Sequence, residues 1–174
     1  MSPNIHRLLA ATLVVVSICS VADPLRQRAQ AERGRTWVLA GNGLFLEEAG
    51  KGRRRVELAG WQRIVEPYSC PPDIAMGPAG EAVVTSNAMP VLWRIDPVTL
   101  EVSVHALELD TDNDKDFGFS SLVYSKRAAA YFAVSDLGGS VWKIDASLRH
   151  ARKVALIDRA DLDCGPETPT LSRR

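Results

Sequence analysis

Neither sign of charge prevails in this chain. Its 174 residues hold 21 Lys and Arg against 21 Asp and Glu, a formal net charge of zero. Nucleic-acid-binding domains usually present a basic surface, so the balance gives no reason to expect that partner. Histidines are few: His6, His105 and His150. None stands near Ser135-Asp136 in sequence to complete a nucleophilic triad. Past residue 22 no segment carries a long apolar stripe at helical spacing, which excludes a helical bundle. The length suits one domain and excludes a large multidomain enzyme. The apolar fraction of 46% is that of a globular chain, which excludes global disorder.

One apolar run does exist, at the N-terminus. Arg7 precedes LLAATLVVVSI (residues 8–18), and Ser20-Val21-Ala22 then offers small residues at the positions a signal peptidase reads. Charge, apolar run and small-x-small site in that order describe a secretory signal over residues 1–22. The run is shorter than the roughly 20 residues that span a bilayer. The competing readings are an uncleaved anchor and a buried N-terminal helix. Cys19 follows the bulky Ile18, against the small residue a lipid-attachment site wants. The mature product is expected in the periplasm or outside the cell, with no stable membrane anchor.

Cleavage removes Cys19 and leaves Cys70 and Cys164. An even pair in an exported chain invites a disulfide. The bridge would close a loop of roughly 90 residues and stabilise by about 4 kcal/mol in the chain-entropy model. Two separate buried thiols are the alternative.

Residues 23–35 (DPLRQRAQAERGR) are polar and read as a linker or a frayed helix. From Thr36 the texture changes to apolar runs of four to six residues separated by Gly, Pro, Asn and Asp, the pattern of an all-β chain. Shifting the sequence by 49 positions aligns its second and third parts. Ile74 falls on Val123, Ser86 on Ser135, Asn87 on Asp136, and Trp93-Arg94-Ile95-Asp96 on Trp142-Lys143-Ile144-Asp145. Each unit reads as four strands: 73–77, 81–86, 91–96 and 102–107, then 121–125, 129–135, 140–145 and 152–157. The shared Asp closes the third strand and opens a turn, because Asp caps its own backbone. A weaker first unit has strands near 36–40, 44–46 and 56–58. Phe45 stands in it where Trp93 and Trp142 stand, and its first strand is missing or lies in the linker.

Four-stranded units of this length, with a strand ending in hydrophobic-x-Ile-Asp, resemble β-propeller blades. The stretch from Gly118 to Asp145 is similar to blades of the NHL, YVTN and gluconolactonase-like propellers, and the resemblance covers roughly 36–157. It implies an all-β fold of antiparallel four-stranded blades. About three blades are too few for a closed ring, which takes four to eight. The expectation is therefore an incomplete or oligomer-completed β-propeller, with blade repeats over 36–164 and a tail over 165–174. The gluconolactonase-like resemblance further implies a divalent metal at the axis and lactone hydrolysis. Its metal-binding Asn at a blade's opening corresponds here to Gly118-Phe119-Ser120, with Phe in place of the amide.

Among local features, Asp110, Asp112, Asp114 and Asp116 alternate as in the start of a calcium loop. Lys115 replaces the turn glycine and Ser121 the closing glutamate, so a solvated acidic loop is the competing reading. The run Lys51-Gly52-Arg53-Arg54-Arg55 is placed in a hairpin turn, where it could touch phosphate or simply be solvated. Asn87 and Asp136 begin turns at one axial end, and Trp61 sits in a connection as an exposed binding aromatic. These three are the candidate binding residues; no catalytic residue is assigned. The function expected is an exported propeller-like binding or scaffold protein. The alternative is a divalent-metal-dependent lactonase-like hydrolase or a fragment of one. No cofactor is expected, with calcium as the alternative. The partner is an unidentified ligand or protein, or a second copy that completes a ring.

Overall fold

A computed structural model describes residues 26–31, 34–65, 70–110, 118–158 and 162; for Arg26, Arg28 and Gln30 the backbone alone is described. The expected signal segment, Asp112, Asp114, Asp116 and Cys164 lie outside the described residues. These residues form thirteen strands and no helix.

The strands make three sheets. The first pairs β1 (Arg26–Gln30), β2 (Arg35–Ala40), β3 (Gly43–Glu48) and β4 (Gly52–Val56) in sequential antiparallel order. The second does the same with β5 (Ile74–Met76), β6 (Ala82–Thr85), β7 (Val91–Ile95) and β8 (Val102–Ala106). The third holds β10 (Ser121–Ser125), β11 (Ala130–Ser135), β12 (Ser140–Asp145) and β13 (His150–Leu156). The short β9 (Glu108–Leu109) adds to its outer edge, parallel to β13. The first strands β1, β5 and β10 lie side by side, so the sheets fan out from one inner edge. This is the all-β, antiparallel blade architecture of an open, incomplete β-propeller.

Side-chain alternation fixes how the sheets stack, because directly paired residues share a face. Ile74, Val84 and Trp93 of the second sheet face the first and pack on Trp37, Leu39, Leu44 and Leu46. Ala75, Val83 and Leu92 face the third and pack on Leu122, Tyr131, Ala133, Trp142 and Ile144. Trp93 and Trp142 hold the same place in successive sheets, each 1% exposed and each turned toward the preceding sheet. Phe45 is directed the same way in the first sheet, where the Arg53 guanidinium lies 3.6 Å above its ring. The turn aspartates behave as expected. Asp96 Oδ1 accepts the N–H groups of Val98 and Thr99, and Asp145 Oδ1 accepts that of Arg149.

Three details refine or correct the sequence reading. The polar segment 23–35 contains β1, so of the two readings of the first unit's first strand, missing or lying in the linker, the second holds, and the segment is not all linker. Backbone pairing to β2 defines this strand, and Ala29 is its buried apolar residue, so hydrophobic alternation could not reveal it. Only Lys51 of the basic run is in the turn; Gly52 to Arg55 lie on β4. The unbroken match also slips by one residue in the first strand. Ile74 pairs with Val84 and its counterpart Leu122 pairs with Ala133, because the chain between the equivalent paired residues is one residue longer in the β10–β11 hairpin than in the β5–β6 hairpin. Val123 consequently turns to the outer face.

Candidate functional site

The described parts of the connection from β4 to β5, residues 57–65 and 70–73, lie at one end of the sheets, beside the hairpin turns 41–42 and 86–90. Polar groups of the second sheet fasten them there. The Trp61 indole N–H donates to Thr85 O at 2.9 Å, and that of Trp93 to Ala59 O at 2.9 Å. Ser86 Oγ donates to Gln62 O at 2.7 Å. The Asn87 carboxamide accepts the Ile64 N–H at 2.8 Å and donates to Ile64 O and Cys70 O at 3.1 and 2.9 Å. An amide suits this post because one side chain supplies both an acceptor and donors.

Asn87 and Asp136 are thus not displayed on binding loops. They are 1% and 2% exposed, and Asp136 Oδ2 accepts the Cys70 N–H at 2.9 Å. Asp136 Oδ1 is buried without a hydrogen-bond partner. The equivalence of Asn87 and Asp136 is real, but its content is anchorage: buried polar groups must find partners, and here they find the connecting backbone. Cys70 is disulfide-bonded.

The fastened connection sets Trp61 and Arg63 against the end of the first sheet. With the Gly41-Asn42-Gly43 turn, Arg55, Val56, Glu57 and Leu58 they line a pocket of about 310 Å³. Gly43 has φ of +133°, which favours glycine, and an added Cβ there would lie 3.5 Å from Arg55 Nε. Glu57 lies 3.7 Å from Arg55 Nε, both side chains being solvent-accessible. Two guanidinium groups against one carboxylate leave the pocket cationic, with an indole as one wall. Trp61, expected as an exposed aromatic, is half-buried against the core of the first two sheets; Arg55 belongs to the basic run already singled out, and Arg63, which was not, is brought to both by the fold.

A second crevice of about 400 Å³ is lined by Glu108, Asp110, Lys143, Asp145, His150 and Arg152. His150 Nε2 lies 2.9 Å from Glu108 Oε2 and Nδ1 lies 3.2 Å from Asp145 Oδ2, so much of its charge is matched within itself. Asp110 Oδ1 accepts the Lys153 N–H at 3.1 Å. Among the described residues no three His, Cys, Asp or Glu side chains are grouped to hold a metal ion.

Two further polar sites were invisible in the sequence. Asp73 begins β5 at the inner edge; its Oδ2 accepts the Leu122 N–H at 2.9 Å and its Oδ1 the Ile74 N–H at 2.7 Å. Burial pushes its carboxyl up to about 6, against the opposing pull of those two donors. Glu81, 2% exposed, lies between the Tyr131 hydroxyl at 3.3 Å and Arg94 at 3.7 Å. Burial, then the Glu81 charge, push the Tyr131 hydroxyl well above its usual range. Burial first, then Arg94 and Arg149, hold His105 below its ordinary value. His105 Nε2 lies 2.9 Å from Ser103 Oγ.

No family model matches the chain, and no curated protein does. Solved structures do. A virginiamycin B lyase from Staphylococcus aureus superposes with TM-score 0.55 at 15% identity, over 74% of this chain and 40% of that one. A streptogramin B lyase gives 0.56 at 16% identity, over 75% and 40%. An auxiliary nutrient binding protein from Bacteroides ovatus gives 0.55 at 13% identity, over 76% and 32%. At these identities the likeness shows a β-propeller-like fold. The chain spans about 40% of the length of the lyases it resembles.

Proposed function

We propose that this chain is an exported binding or scaffold protein that takes a ligand at the loop end of its stacked sheets. The observation that carries the proposal is the pocket of Asn42, Arg55, Glu57, Trp61 and Arg63. A concave site with an aromatic wall and a few placed charges is the usual form of a small-molecule site. Its excess of guanidinium suits a carboxylate, which Arg can hold through paired N–H donors, while the indole takes an apolar portion. Export is supported by the order of charge, apolar run and small residues before Asp23, and by the Cys70 disulfide. A fold neighbour described as an auxiliary nutrient binding protein is in keeping with a binding role.

The test is titration with benzoate, with benzamide as the uncharged control, followed by indole fluorescence. Trp37, Trp93 and Trp142 are buried, so the responding indole is Trp61. A saturable response to benzoate, absent in Trp61→Phe and weakened in Arg63→Ala, is the expected result. A benzoate response that survives both substitutions removes the pocket from the account.

A further inference from the structure

The pocket at the end of the first sheet has a negative pole as well as a positive one. Arg63 forms no ion pair among the described residues. Arg55 is engaged on two sides. Its guanidinium lies against the Gly43 turn, where an added Cβ would fall 3.5 Å from Nε and 3.7 Å from Nη2, and its Nε lies 3.7 Å from Glu57 Oε2. That last separation exceeds the roughly 2.7–3.2 Å of an N–H···O hydrogen bond. Glu57 is therefore held beside the pocket by charge, with its acceptor lone pairs left for another donor. The next cation along β4, Arg53, lies over the Phe45 ring and does not line the pocket.

A ligand with a carboxylate alone answers Arg63 but sets a second anion in the same small pocket as Glu57, and like charges at short range repel. A ligand that carries an ammonium beside its carboxylate answers both poles. Size and surface narrow it further. About 310 Å³ is at the small end of the roughly 300–1,000 Å³ of ligand pockets, which suits one small molecule. The Trp61 N–H is already given to Thr85 O, so the indole offers carbon surface to the pocket.

We propose that the pocket selects a free α-amino acid with an aromatic or large apolar side chain. Arg63 takes the α-carboxylate, Glu57 the α-ammonium, and Trp61 the side chain. This rests on the reading of the pocket as the ligand site and adds to it the ammonium and its partner. An internal residue of a peptide has neither charged group, and a peptide terminus keeps one of the two. A free amino acid brings both on a single carbon and meets both poles at once.

The test follows Trp61 fluorescence, excited where phenylalanine does not absorb. The full chain is titrated with L-phenylalanine and with 3-phenylpropionate, which lacks only the ammonium. The Glu57 side chain is 79% exposed, so its contact with an ammonium carries a modest factor. L-Phenylalanine is expected to bind roughly two- to fivefold more tightly than 3-phenylpropionate. In Glu57→Gln the preference should vanish while the benzoate response persists, which shows that the variant pocket is formed. In Arg63→Ala both acids should weaken alike and the preference should remain. If the wild type responds to benzoate but binds 3-phenylpropionate as tightly as phenylalanine, or if the preference survives Glu57→Gln, this inference is wrong and the pocket stands as a site for simple carboxylates. If no ligand, benzoate included, alters the Trp61 signal, the inference and the reading beneath it both fall.

Discussion

Asp73 Oδ2 accepts the backbone N–H of Leu122 at 2.9 Å, tying the inner strand of the second sheet to that of the third. Thr85 closes the same corner, its hydroxyl accepting the Asp73 N–H at 2.7 Å. The tie is made by a carboxyl that burial raises to about 6 from an ordinary 3.8. The folded state therefore holds the proton more tightly than the unfolded chain. Its contribution to stability is greatest below the unfolded value and declines as pH rises through the folded one. Between about pH 4 and pH 7 the wild type should lose up to about 3 kcal/mol relative to Asp73→Asn. Urea unfolding of both proteins across that range checks it; parallel curves would show that Asp73 is not held as described.

Asn87 makes three hydrogen bonds to the connection that carries Trp61. Asn87→Ala leaves buried backbone groups unpaired and should cost about 2–4 kcal/mol. Asn87→Asp should also destabilise, because the carboxylate cannot donate to Ile64 O and Cys70 O. Chemical denaturation measures both, and a loss under about 0.5 kcal/mol, the range of ordinary surface substitutions, would deny Asn87 its anchoring role.

Gly118 lies against the Ser86–Ala88 backbone. An added Cβ would fall 2.2 Å from Ser86 O and 2.4 Å from Asn87 C, atoms that cannot swing aside as a side chain can. Gly118→Ala should destabilise by about 2 kcal/mol or more through forced backbone displacement. Gly60→Ala is the comparison: it has open space around it, so its cost comes from its positive φ alone. Melting temperatures of the two variants should fall in that order.

Trp93 and Trp142 are equivalent in both burial and direction. Replacing either by Ala should cost about 3–5 kcal/mol, as for other buried aromatics. A cost at one position many times that at the other, in equilibrium unfolding, would deny that the sheets repeat one packing scheme.

What could be read in advance follows from what each signal encodes. Trp93-x-Ile95-Asp96 and Trp142-x-Ile144-Asp145 announce a buried alternating strand and its turn, and both stand where expected. The slip of Ile74 to Leu122 escaped because turn length can change without altering the apolar pattern. Arg26–Gln30 was legible only as a strand either missing or lying in the linker, because an inner strand defined by backbone pairing needs few apolar residues. Asn87 and Asp136 were rightly matched but given the wrong task, since sequence shows that two polar residues correspond and not whether they face water or backbone. Arg63 carries no local signal of a site, and Arg55 stands out only as one member of a basic run. They meet Trp61 only once the connection is drawn back across the sheet end.

Amide hydrogen exchange tests the stacking of three sheets most directly. The central β6 and β7 are covered on both faces by their neighbours, whereas β13 and β4 are outer strands with exposed side chains. The expected result is slowest exchange at Val83, Val84, Leu92 and Trp93, with markedly faster exchange along β13 and β4. Exchange in β6 and β7 as fast as in the outer strands would contradict the stacked arrangement and every site built on it.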